Sequence, residues 1–388
     1  MRLDRLWLTD FRSYESAELA FAPGLTAVVG DNGRGKSNLL EAVAWLATLT
    51  SFRGAPTDAL VRAGAARAVL RLEGFAERTA PGEEHDERQT LVEAELVASG
   101  RNRVLVNRQR LQRTRDLLGV LRVTVFTPDD LDIVKGGPGG RRRYLDDLLV
   151  ALHPKYDAVQ REVDRVLKQR NALLKQVQGG RRLDEAAVTT LDVFDEKLGQ
   201  AGEELARVRV ALCERLAPVL AASYAAVAVG ADVRAATTLR YESDWYGADG
   251  GLSGALAAGR DDDVRRGVSL VGPHRDDLAL AIGGLPARTH ASQGEQRSFA
   301  LALRLAGHSV VTATTGAAPV LLLDDVFSEL DPDRSDALLA NLPAGQTLLT
   351  TASGLPKGAA PERVLRVEAR PAPGGGVVST LSETEGPP

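Results

Sequence analysis

A run of eight residues near the N-terminus has the composition needed to bind the phosphates of a nucleotide. Its pattern is G-x-x-x-x-G-K-S, in which glycines allow a tight turn whose backbone N–H groups converge on phosphate oxygens. Lys36 would place a positive charge between the β- and γ-phosphates of ATP, and the Ser37 hydroxyl would bind Mg²⁺. We predict that the whole run contacts the nucleotide: Gly30, Asp31, Asn32, Gly33, Arg34, Gly35, Lys36 and Ser37.

The segments on either side of this loop have the order that a phosphate-binding loop requires. Residues 25–29 are apolar and predict a short strand, and residues 38–49 have a helical pattern. A helix that starts directly behind the loop adds its N-terminal partial positive charge to the site. The strand–loop–helix order makes a chance match in a glycine-rich loop negligible.

A second segment, residues 320–325, is an apolar run that ends in two carboxylates. A buried strand with an aspartate at its tip is how phosphate-loop proteins hold Mg²⁺ from the side opposite the loop serine. We predict Asp324 as a metal ligand together with Ser37, and Asp325 as the group that orients or deprotonates the attacking water. With Lys36 these are the predicted catalytic residues. Taken alone, the run is also compatible with a buried strand followed by a solvated acidic turn.

A third segment lies upstream of the carboxylates, at the start of a predicted helix over residues 298–305. A serine hydroxyl and free N–H groups at a helix start can bind phosphate, although serine is also an ordinary N-cap. The position of the segment between the other two motifs favours phosphate binding. The predicted nucleotide contacts here are Ser292, Gln293, Gly294, Glu295 and Gln296.

These three segments, followed by Ser-Glu-Leu-Asp at residues 328–331, together resemble an ABC-type ATPase head. The resemblance implies an α/β P-loop NTPase fold with ATP and Mg²⁺ as cofactors. In that class the signature segment of one subunit, here residues 292–296, closes on ATP that another subunit binds. An ATP-dependent homodimer is therefore expected, with Asp331 near the dimer seam.

Further blocks narrow the resemblance. Residues 10–14 are similar to an element of chromosome-maintenance and DNA-repair heads in which a basic residue, here Arg12, approaches the nucleotide. Other blocks resemble the RecF family of bacterial recombination mediators, and the likeness covers nearly the whole chain. These blocks are residues 126–131, 135–138 and 141–143 in one region and residues 272–277 in another.

Membership of that family implies a protein that dimerises on DNA with ATP, at gaps or single-strand/double-strand junctions. It also implies support of RecA loading with RecO and RecR in DNA repair, replication, recombination and the SOS response. Weak, DNA-stimulated ATP hydrolysis is expected, because Asp325 stands where many such heads have glutamate. Transporter heads also carry a switch histidine after the strand that residues 346–351 represent, and here Thr350 or Thr351 stands in its place.

Arginine groups are the candidate DNA-binding residues. The planar guanidinium can contact two phosphate oxygens at once. Few aromatic residues lie among these arginines, so contacts to duplex phosphates are favoured over base stacking. Solvated surfaces paired with acids explain each group equally well. The candidates are Arg101, Arg103, Arg108, Arg110, Arg113, Arg141, Arg142 and Arg143, with a further pair at Arg181 and Arg182.

The domain organisation follows from a change in the apolar pattern along the chain, from strand-like alternation to helical spacing. We predict an ATPase head built from residues 1–135 and 267–370, an α-helical insert over residues 136–266, and a largely disordered tail, residues 371–388. Two apolar stripes in the insert, separated by Gly179 and Gly180 and ending before Pro218, predict a short antiparallel helical hairpin. Two core helices of a bundle explain the stripes equally well.

Composition sets broader limits. The 388 residues carry a net charge of −4, so DNA binding would need a basic face and not a basic average. Cys213 is the single cysteine, which excludes an intrachain disulfide and suits a reducing cytoplasm. The uncharged run at residues 216–231 is shorter than a membrane span, so a soluble protein is expected.

Three alternative functions can be considered on the sequence, of which a non-hydrolysing ATP-gated DNA clamp differs from the favoured function only in whether Asp325 works. An SMC-type chromosome-maintenance head needs arms of hundreds of residues, which the insert cannot supply. An ABC transporter ATPase subunit needs a membrane partner and a switch histidine, and does not explain the family blocks.

Overall fold

The computed structural model describes residues 2–78, 86–178, 184–228, 236–352, 354–372 and 376–383. The chain forms two compact units. One comprises Met1–Asp130, Ser223–Val233 and Ser298–Pro388, and the other comprises Leu131–Ala222 and Arg234–Arg297. The first, which we call the head unit, is thus built from both ends of the chain. Residues 267–297 were assigned to the head by their motifs and cluster with the second unit, the insert unit.

An antiparallel sheet of six strands forms one layer of the head unit. Its strands are β1 (Arg2–Phe11), β2 (Tyr14–Ala20), β4 (Arg67–Arg78), β5 (Asp86–Val97), β6 (Arg103–Val106) and β7 (Gln109–Arg110), in the order β2-β1-β4-β5-β6-β7. Leu3 and Leu6 are both buried although they are an odd number of residues apart, because a bulge between Leu3 and Arg5 shifts the register with β4. The bulge keeps the apolar face of β1 on the core.

A second six-stranded sheet positions the nucleotide motifs. Its strands are β3 (Leu25–Val29), β8 (Val123–Phe126), β12 (Val320–Asp324), β13 (Thr347–Thr351), β14 (Arg363–Pro371) and β15 (Val377–Glu383), in the order β15-β14-β3-β13-β12-β8. All neighbours are parallel except β14 and β15. Strands β12 and β13 are buried along their whole length because both faces of the sheet are covered. Carboxyl ends of parallel strands share one edge, and the motifs follow β3 and β12 at that edge.

Helix α1 (Lys36–Thr48) joins the two sheets into one core. It contacts strands of both sheets, and apolar side chains from all three elements form a single buried cluster. A helix that is apolar around most of its circumference is stable only inside such a core. The head unit also contains α2 (Thr57–Leu60), α11 (Pro332–Ala340), most of α10 (Gln293–Thr315) and residues 223–227 at the end of a long helix that begins in the insert unit.

The insert unit is mainly helical, with a small antiparallel sheet. Its helices are α3 (Leu131–Lys135), α4 (Pro138–Leu152), α5 (Lys155–Val177), α6 (Glu185–Val227), α7 (Gly251–Ala258), α8 (Arg260–Arg266) and α9 (Ala287–His290), and its strands are β9 (Thr237–Glu242), β10 (Asp277–Ile282) and β11 (Leu285–Pro286). Arg170, late in α5, donates to Asp195, early in α6, at 2.6 Å. This pairing fits the predicted antiparallel hairpin. Arg170, the one break in the first apolar stripe, is fully buried by this contact and by a bond to Asp263.

Helix α6 does not end before Pro218, as we predicted, but continues to Val227. Proline inside a helix costs about 3 kcal/mol. The helix persists because Leu216, Leu220 and Tyr224 continue the buried stripe across the proline. By length and composition α6 could also cross a membrane, a test that a core helix passes equally.

Several strand predictions need correction. Strand β15 lies within the tail that we predicted to be largely disordered, and it pairs with β14 from Leu365↔Glu383 to Pro371↔Val377. Strand β2 was missed. The predicted hairpin tip within residues 77–88 falls partly, and Arg181 and Arg182 fall entirely, outside the described residues.

Candidate nucleotide-binding site

Strand β13 lies between the two nucleotide motifs. In the register of the sheet Thr350 of β13 stands opposite Val28 of β3 on one side and opposite Asp324 of β12 on the other. The loop that follows β3 and the carboxylates that end β12 therefore meet across a single strand. This adjacency brings residues almost 300 positions apart in the sequence to one edge of the sheet.

The glycines of the loop are required by their backbone. Gly30 and Gly35 have φ values of 154° and 109°, in the region that favours glycine. A Cβ at Gly30 would collide with the Val367 carbonyl of β14, and one at Gly35 would collide with the hydroxyls of Ser13 and Ser379. The loop is consequently enclosed by strands that lie far away in the sequence.

Lys36 is the first residue of α1 and lies under the loop. Its side chain is nearly buried and donates to the Asp31 carbonyl at 2.9 Å. Burial lowers the pKa of the Lys36 ammonium, while Asp325, Asp324 and Asp31 act in the opposite direction. A buried cation held inside the loop has the position and charge needed to bind a polyphosphate.

Asp324 is held by two hydroxyls. Thr350 Oγ1 donates to Asp324 Oδ1 at 2.8 Å, and the Ser37 side chain hydrogen-bonds to the same carboxyl. Burial raises the pKa of Asp324, and the bonds from Ser37 and Thr350 oppose that rise. Mg²⁺ is commonly held by one or two protein oxygens with water and phosphate completing the shell. The contacting Ser37 and Asp324 fit such a site.

Asp325 has a strained backbone and an unsatisfied carboxylate oxygen. Its φ of 51° lies in the left-handed region, which costs roughly 1–2 kcal/mol for a residue other than glycine. The Asp325 N–H donates to the Thr350 hydroxyl at 3.0 Å and to the Thr350 carbonyl at 3.2 Å. Asp325 Oδ1 is buried without a hydrogen-bond partner among the described residues. An acceptor left open beside Lys36 fits the orienting of a water at the γ-phosphate.

Of the two threonines that were candidates for the switch position, Thr350 is the one that touches the site. It contacts both Asp324 and Asp325, whereas the Thr351 hydroxyl donates to the Gly354 carbonyl at 2.8 Å. Within the described ranges, His, Cys, Asp and Glu side chains do not gather in threes around a candidate metal position. A Mg²⁺ site here would therefore depend on the nucleotide.

The structure gives Arg12 a partner that we did not predict. Its guanidinium makes two bonds to the Glu41 carboxylate, at 2.8 and 2.7 Å, and one to the Ala59 carbonyl. Glu41 is fully buried in α1 and also accepts from Ser51. All three guanidinium nitrogens of Arg12 are thus engaged, and a nucleotide contact by Arg12 remains a prediction.

The segment at residues 292–296 is built differently. Ser292 and Gln293 are exposed, and Ser292 forms a capping box with Glu295, in which each backbone N–H donates to the other side chain. The Gln296 amide is buried and donates to the carbonyls of Ala287 and Arg288. The Gln296 side chain supports the segment from inside, which corrects its predicted nucleotide contact.

The candidate DNA-binding arginines separate into two kinds. Those between residues 101 and 113 are exposed. Arg108 forms the second position of a two-residue hairpin turn, with Asn107 and Arg108 at φ values of 51° and 66°. Such turns favour Asn-Gly, so placing an arginine at this tip costs about 1–2 kcal/mol. Beside the turn lies a hollow of about 450 Å³, bordered by the arginines Arg101, Arg103, Arg110 and Arg115.

The consecutive arginines at residues 141–143 have three different environments. Arg141 is buried and makes two bonds to the Asp277 carboxylate, at 2.7 and 2.8 Å, so its predicted DNA contact is wrong. Arg142 is partly buried and donates to the Asp276 carbonyl at 2.7 Å. Arg143 is exposed. The two family-specific blocks therefore bind each other inside the insert unit.

The second of these blocks is the centre of a buried polar network. Asp276 accepts from the Tyr241 hydroxyl at 2.5 Å and from Trp245 Nε1 at 2.9 Å. The His274 ring lies 3.1 Å from the Ser269 carbonyl, and burial lowers the pKa of His274. These contacts give His274 and Asp276 structural roles.

Comparisons with known proteins agree with this geometry. A family profile described as the RecF/RecN/SMC N terminal domain matches residues 2–350. The DNA replication and repair protein RecF of Streptomyces avermitilis is 44% identical over 365 residues, covering 91% of this chain and 94% of its own. The protein of the same name from Frankia alni is 45% identical over 365 residues, covering 91% and 93%. The chain belongs to the RecF family.

Solved RecF structures share the fold. The recombination mediator protein RecF-ATP of the RecFOR pathway has a TM-score of 0.84 at 26% identity, covering 99% of this chain and 98% of that chain. RecF-ATPrS has a TM-score of 0.83 at 28% identity, covering 94% and 96%. An Smc head domain derived from Pyrococcus furiosus shares the fold alone, with a TM-score of 0.56 at 18% identity and coverage of 99% and 96%. The predicted ABC-type head with a helical insert is confirmed.

Three contributors to the site of this RecF-family chain were not found from the sequence. Glu41 had a weak signal, since it is a lone carboxylate within an apolar helix. Ser13 lies in the block at residues 10–14, in which only Arg12 was assigned a role, and Ser379 had no signal. Their contacts depend on strand pairing across most of the chain.

Proposed function

We propose that this chain is an ATP-gated DNA-binding protein that dimerises on DNA when ATP occupies the loop, and that it acts as a recombination mediator. The observation that carries the proposal is the coexistence of two unlike half-sites in one chain. The Lys36–Asp324 side is buried and assembled, whereas Ser292 is exposed and hydrogen-bonds to Glu295 of its own turn.

The dimer would complete the nucleotide site. A γ-phosphate bound against Lys36 needs further donors on its outer side. The start of α10 offers the Ser292 hydroxyl and the N-terminal partial positive charge of a 23-residue helix, which favours an anion. Supplied by a second copy of the chain, these groups would bind ATP between two heads, and loss of the γ-phosphate would release them.

Hydrolysis would be slow and would serve to reset the dimer. The attacking water would be held by Asp325 Oδ1, in line with the γ-phosphate, and its proton would pass to that carboxylate. Lys36 would stabilise the charge that develops on the phosphate oxygens. Mg²⁺, held by Ser37 and Asp324, would neutralise the β- and γ-phosphates when bound. An aspartate is shorter than the glutamate of many such heads, so it would hold the water less well.

DNA would be bound through phosphates by the exposed arginines. The strained turn that places Arg108 at a hairpin tip supports this, because strain kept at a surface position calls for a functional reason. Arg101, Arg103, Arg110 and Arg113 lie on the same sheet edge or next to it, and Arg143 would be a separate phosphate contact. Such binding would weaken steeply with salt, with a slope of about 0.9 per phosphate contact.

The cellular role follows from the names of the relatives and of the solved proteins. Those names place RecF in DNA replication and repair and in the RecFOR pathway. By that likeness the chain would act with RecO and RecR in the cytoplasm to support RecA loading on gapped DNA during repair and the SOS response. Helices α5 and α6, about 35 and 65 Å long, are far shorter than SMC arms.

Light scattering tests the proposal directly. The protein would be sized with ATP, with ADP and without nucleotide, each with gapped duplex, intact duplex or no DNA. We expect a monomer without ATP, a dimer with ATP, and the largest shift with ATP and gapped duplex. A monomer under every condition would overturn the ATP-gated dimer, and equal binding to every DNA would overturn the preference for gaps.

A further inference from the structure

The last strand of the chain touches the nucleotide loop. Ser379 of β15 is 1% exposed, and its hydroxyl lies 2.5 Å from the Arg34 carbonyl and 2.7 Å from Ser13 Oγ. The Ser379 N–H donates to the Ser13 carbonyl at 2.9 Å. The loop, the turn between β1 and β2, and the C-terminal strand therefore meet at one buried serine.

The side chains of Asn38, Ser13 and Ser379 form a hydrogen-bonded series that ends at the Arg34 carbonyl. A serine hydroxyl has one proton, so Ser379 can donate to only one of its two neighbours. The Arg34 carbonyl has no proton to offer and must be the acceptor. Ser13 Oγ accepts from Asn38 Nδ2 at 2.9 Å and lies within hydrogen-bond distance of Ser379 Oγ. Each bond in such a chain polarises the next.

The neighbouring carbonyl is held in the same way. The Tyr14 hydroxyl donates to the Gly35 carbonyl at 3.1 Å, and Tyr14 is fully buried. The Arg34 guanidinium donates to the Ala369 carbonyl of β14 at 3.1 Å. The 34–36 backbone is thus bound on the side formed by β1, β2, β14 and β15.

The planarity of the peptide group converts these bonds into a direction for the opposite side. A carbonyl and the N–H of the next residue belong to one plane and point in opposite directions. Binding the Arg34 carbonyl to Ser379 turns the Gly35 N–H away from β15, and binding the Gly35 carbonyl to Tyr14 does the same for the Lys36 N–H. These are N–H groups of the kind that cradle α- and β-phosphates in such loops.

We propose that Ser379, together with Tyr14, is a positioning residue for nucleotide binding, which holds two successive peptide groups of the loop with their N–H groups toward the phosphates. The inference rests on the proposed ATP binding and names the part of the fold that preorganises it. The C-terminal hairpin of β14 and β15 thereby becomes part of the ATP site without touching ATP.

The test compares Ser379→Ala with two variants of the same strand. Ser382→Ala removes an exposed hydroxyl, and Val378→Ala removes buried packing without removing a hydroxyl near the loop. Affinities for fluorescent ATP and ADP and the melting temperature of the nucleotide-free protein would be measured. We expect Ser379→Ala to weaken ATP and ADP equally, by about five- to tenfold. A defect at the dimer interface would instead weaken the binding of ATP and leave the affinity for ADP unchanged.

The controls separate positioning from general stability. Val378→Ala should lower the melting temperature most and leave both affinities unchanged at temperatures where it is folded, and Ser382→Ala should change neither. Wild-type affinities for Ser379→Ala, or an equal loss in Val378→Ala, would overturn the positioning role. Failure of the wild-type protein to bind ATP would instead overturn the proposed function.

A second variant decides the matter if Ser379→Ala does not fold. Tyr14→Phe keeps the buried ring and removes only the hydroxyl that binds the Gly35 carbonyl. We expect a loss of the same size for ATP and ADP. Unchanged affinities in Tyr14→Phe would then overturn the proposal.

Discussion

The Lys36–Asp324 half-site and the Ser292 segment differ in how their functional groups are held. In the first, Lys36 and Asp324 are nearly buried, and hydrogen bonds join Lys36 to Asp31 of the loop and Asp324 to Thr350 of β13. In the second, Ser292 is exposed, and the bonds described for its backbone and hydroxyl go to Glu295 of its own turn. The difference indicates that one half is preorganised within the monomer, while the other presents its groups to a partner.

Strain appears only on the preorganised side of this comparison. The Asp325 backbone is held in the left-handed region because its N–H donates to the hydroxyl of Thr350, which lies on the adjacent strand β13. Such strain persists where the surroundings over-determine a conformation. The Ser292 segment needs no such support, because a capping box forms from four consecutive residues.

The largest effect is expected from Lys36→Met. Methionine keeps the length of the side chain and removes the buried ammonium that the phosphates would contact. The charge-assisted bonds that are lost contribute about 3 kcal/mol or more, so we expect the affinity for ATP to fall by at least about 100-fold. Titration calorimetry would measure the affinity, and light scattering would show whether ATP-dependent dimers are lost. Dimers that form normally with ATP would contradict the role of the Lys36 half-site.

Ser292→Arg should disrupt the Ser292 segment and leave the Lys36–Asp324 half-site intact. A bulky cation would fill the space that a partner's phosphate needs, and would add positive charge where the start of α10 is already positive. We expect monomers to bind ATP within about twofold of wild type, and dimerisation to weaken by about 30-fold. Analytical ultracentrifugation with ATP would measure the second value. Normal dimers would show that residues 292–296 do not face a second head.

The smallest effect is expected from Thr350→Val, which sharpens the comparison within the buried half. The change keeps the shape and removes the hydroxyl shared by Asp324 and Asp325. Because one bond to each is lost, we expect hydrolysis at saturating Mg²⁺ and ATP to fall about five- to tenfold. Thr351→Val, on the same strand, is the matched control and should change hydrolysis little. Equal hydrolysis rates for both variants would show that the Thr350 hydroxyl does not contribute to hydrolysis.

Much of the chemistry could be predicted because it is local. The loop at residues 30–37 carries its glycines, lysine and serine in consecutive positions, and the strand and helix around it were also found. Asp324 and Asp325 follow an apolar run that only a buried strand explains. Helix α6 was cut short at Pro218 because the local cost of a proline is visible in the sequence, while the burial that outweighs it is not.

The arginines at residues 141–143 show where local patterns stop being informative. In the sequence they form one basic cluster. A helix turns by 100° per residue, so neighbouring side chains face different surroundings. Arg141 thus meets Asp277 in the core, and Arg143 meets solvent. The surroundings of each face are set by elements more than 130 residues away.

The sequence by itself determined which chemical groups this protein brings to a nucleotide, because a phosphate-binding loop is defined by adjacent residues. It also determined the family, through blocks at residues 126–143 and 272–277. The tertiary structure alone decided which contacts surround the motifs: Thr350 meets the carboxylates through the register of β13, Glu41 forms a buried pair with Arg12, and Ser379 reaches the loop through β15. The physical reason is that apolar alternation identifies a strand and its buried face, but not the strand beside it.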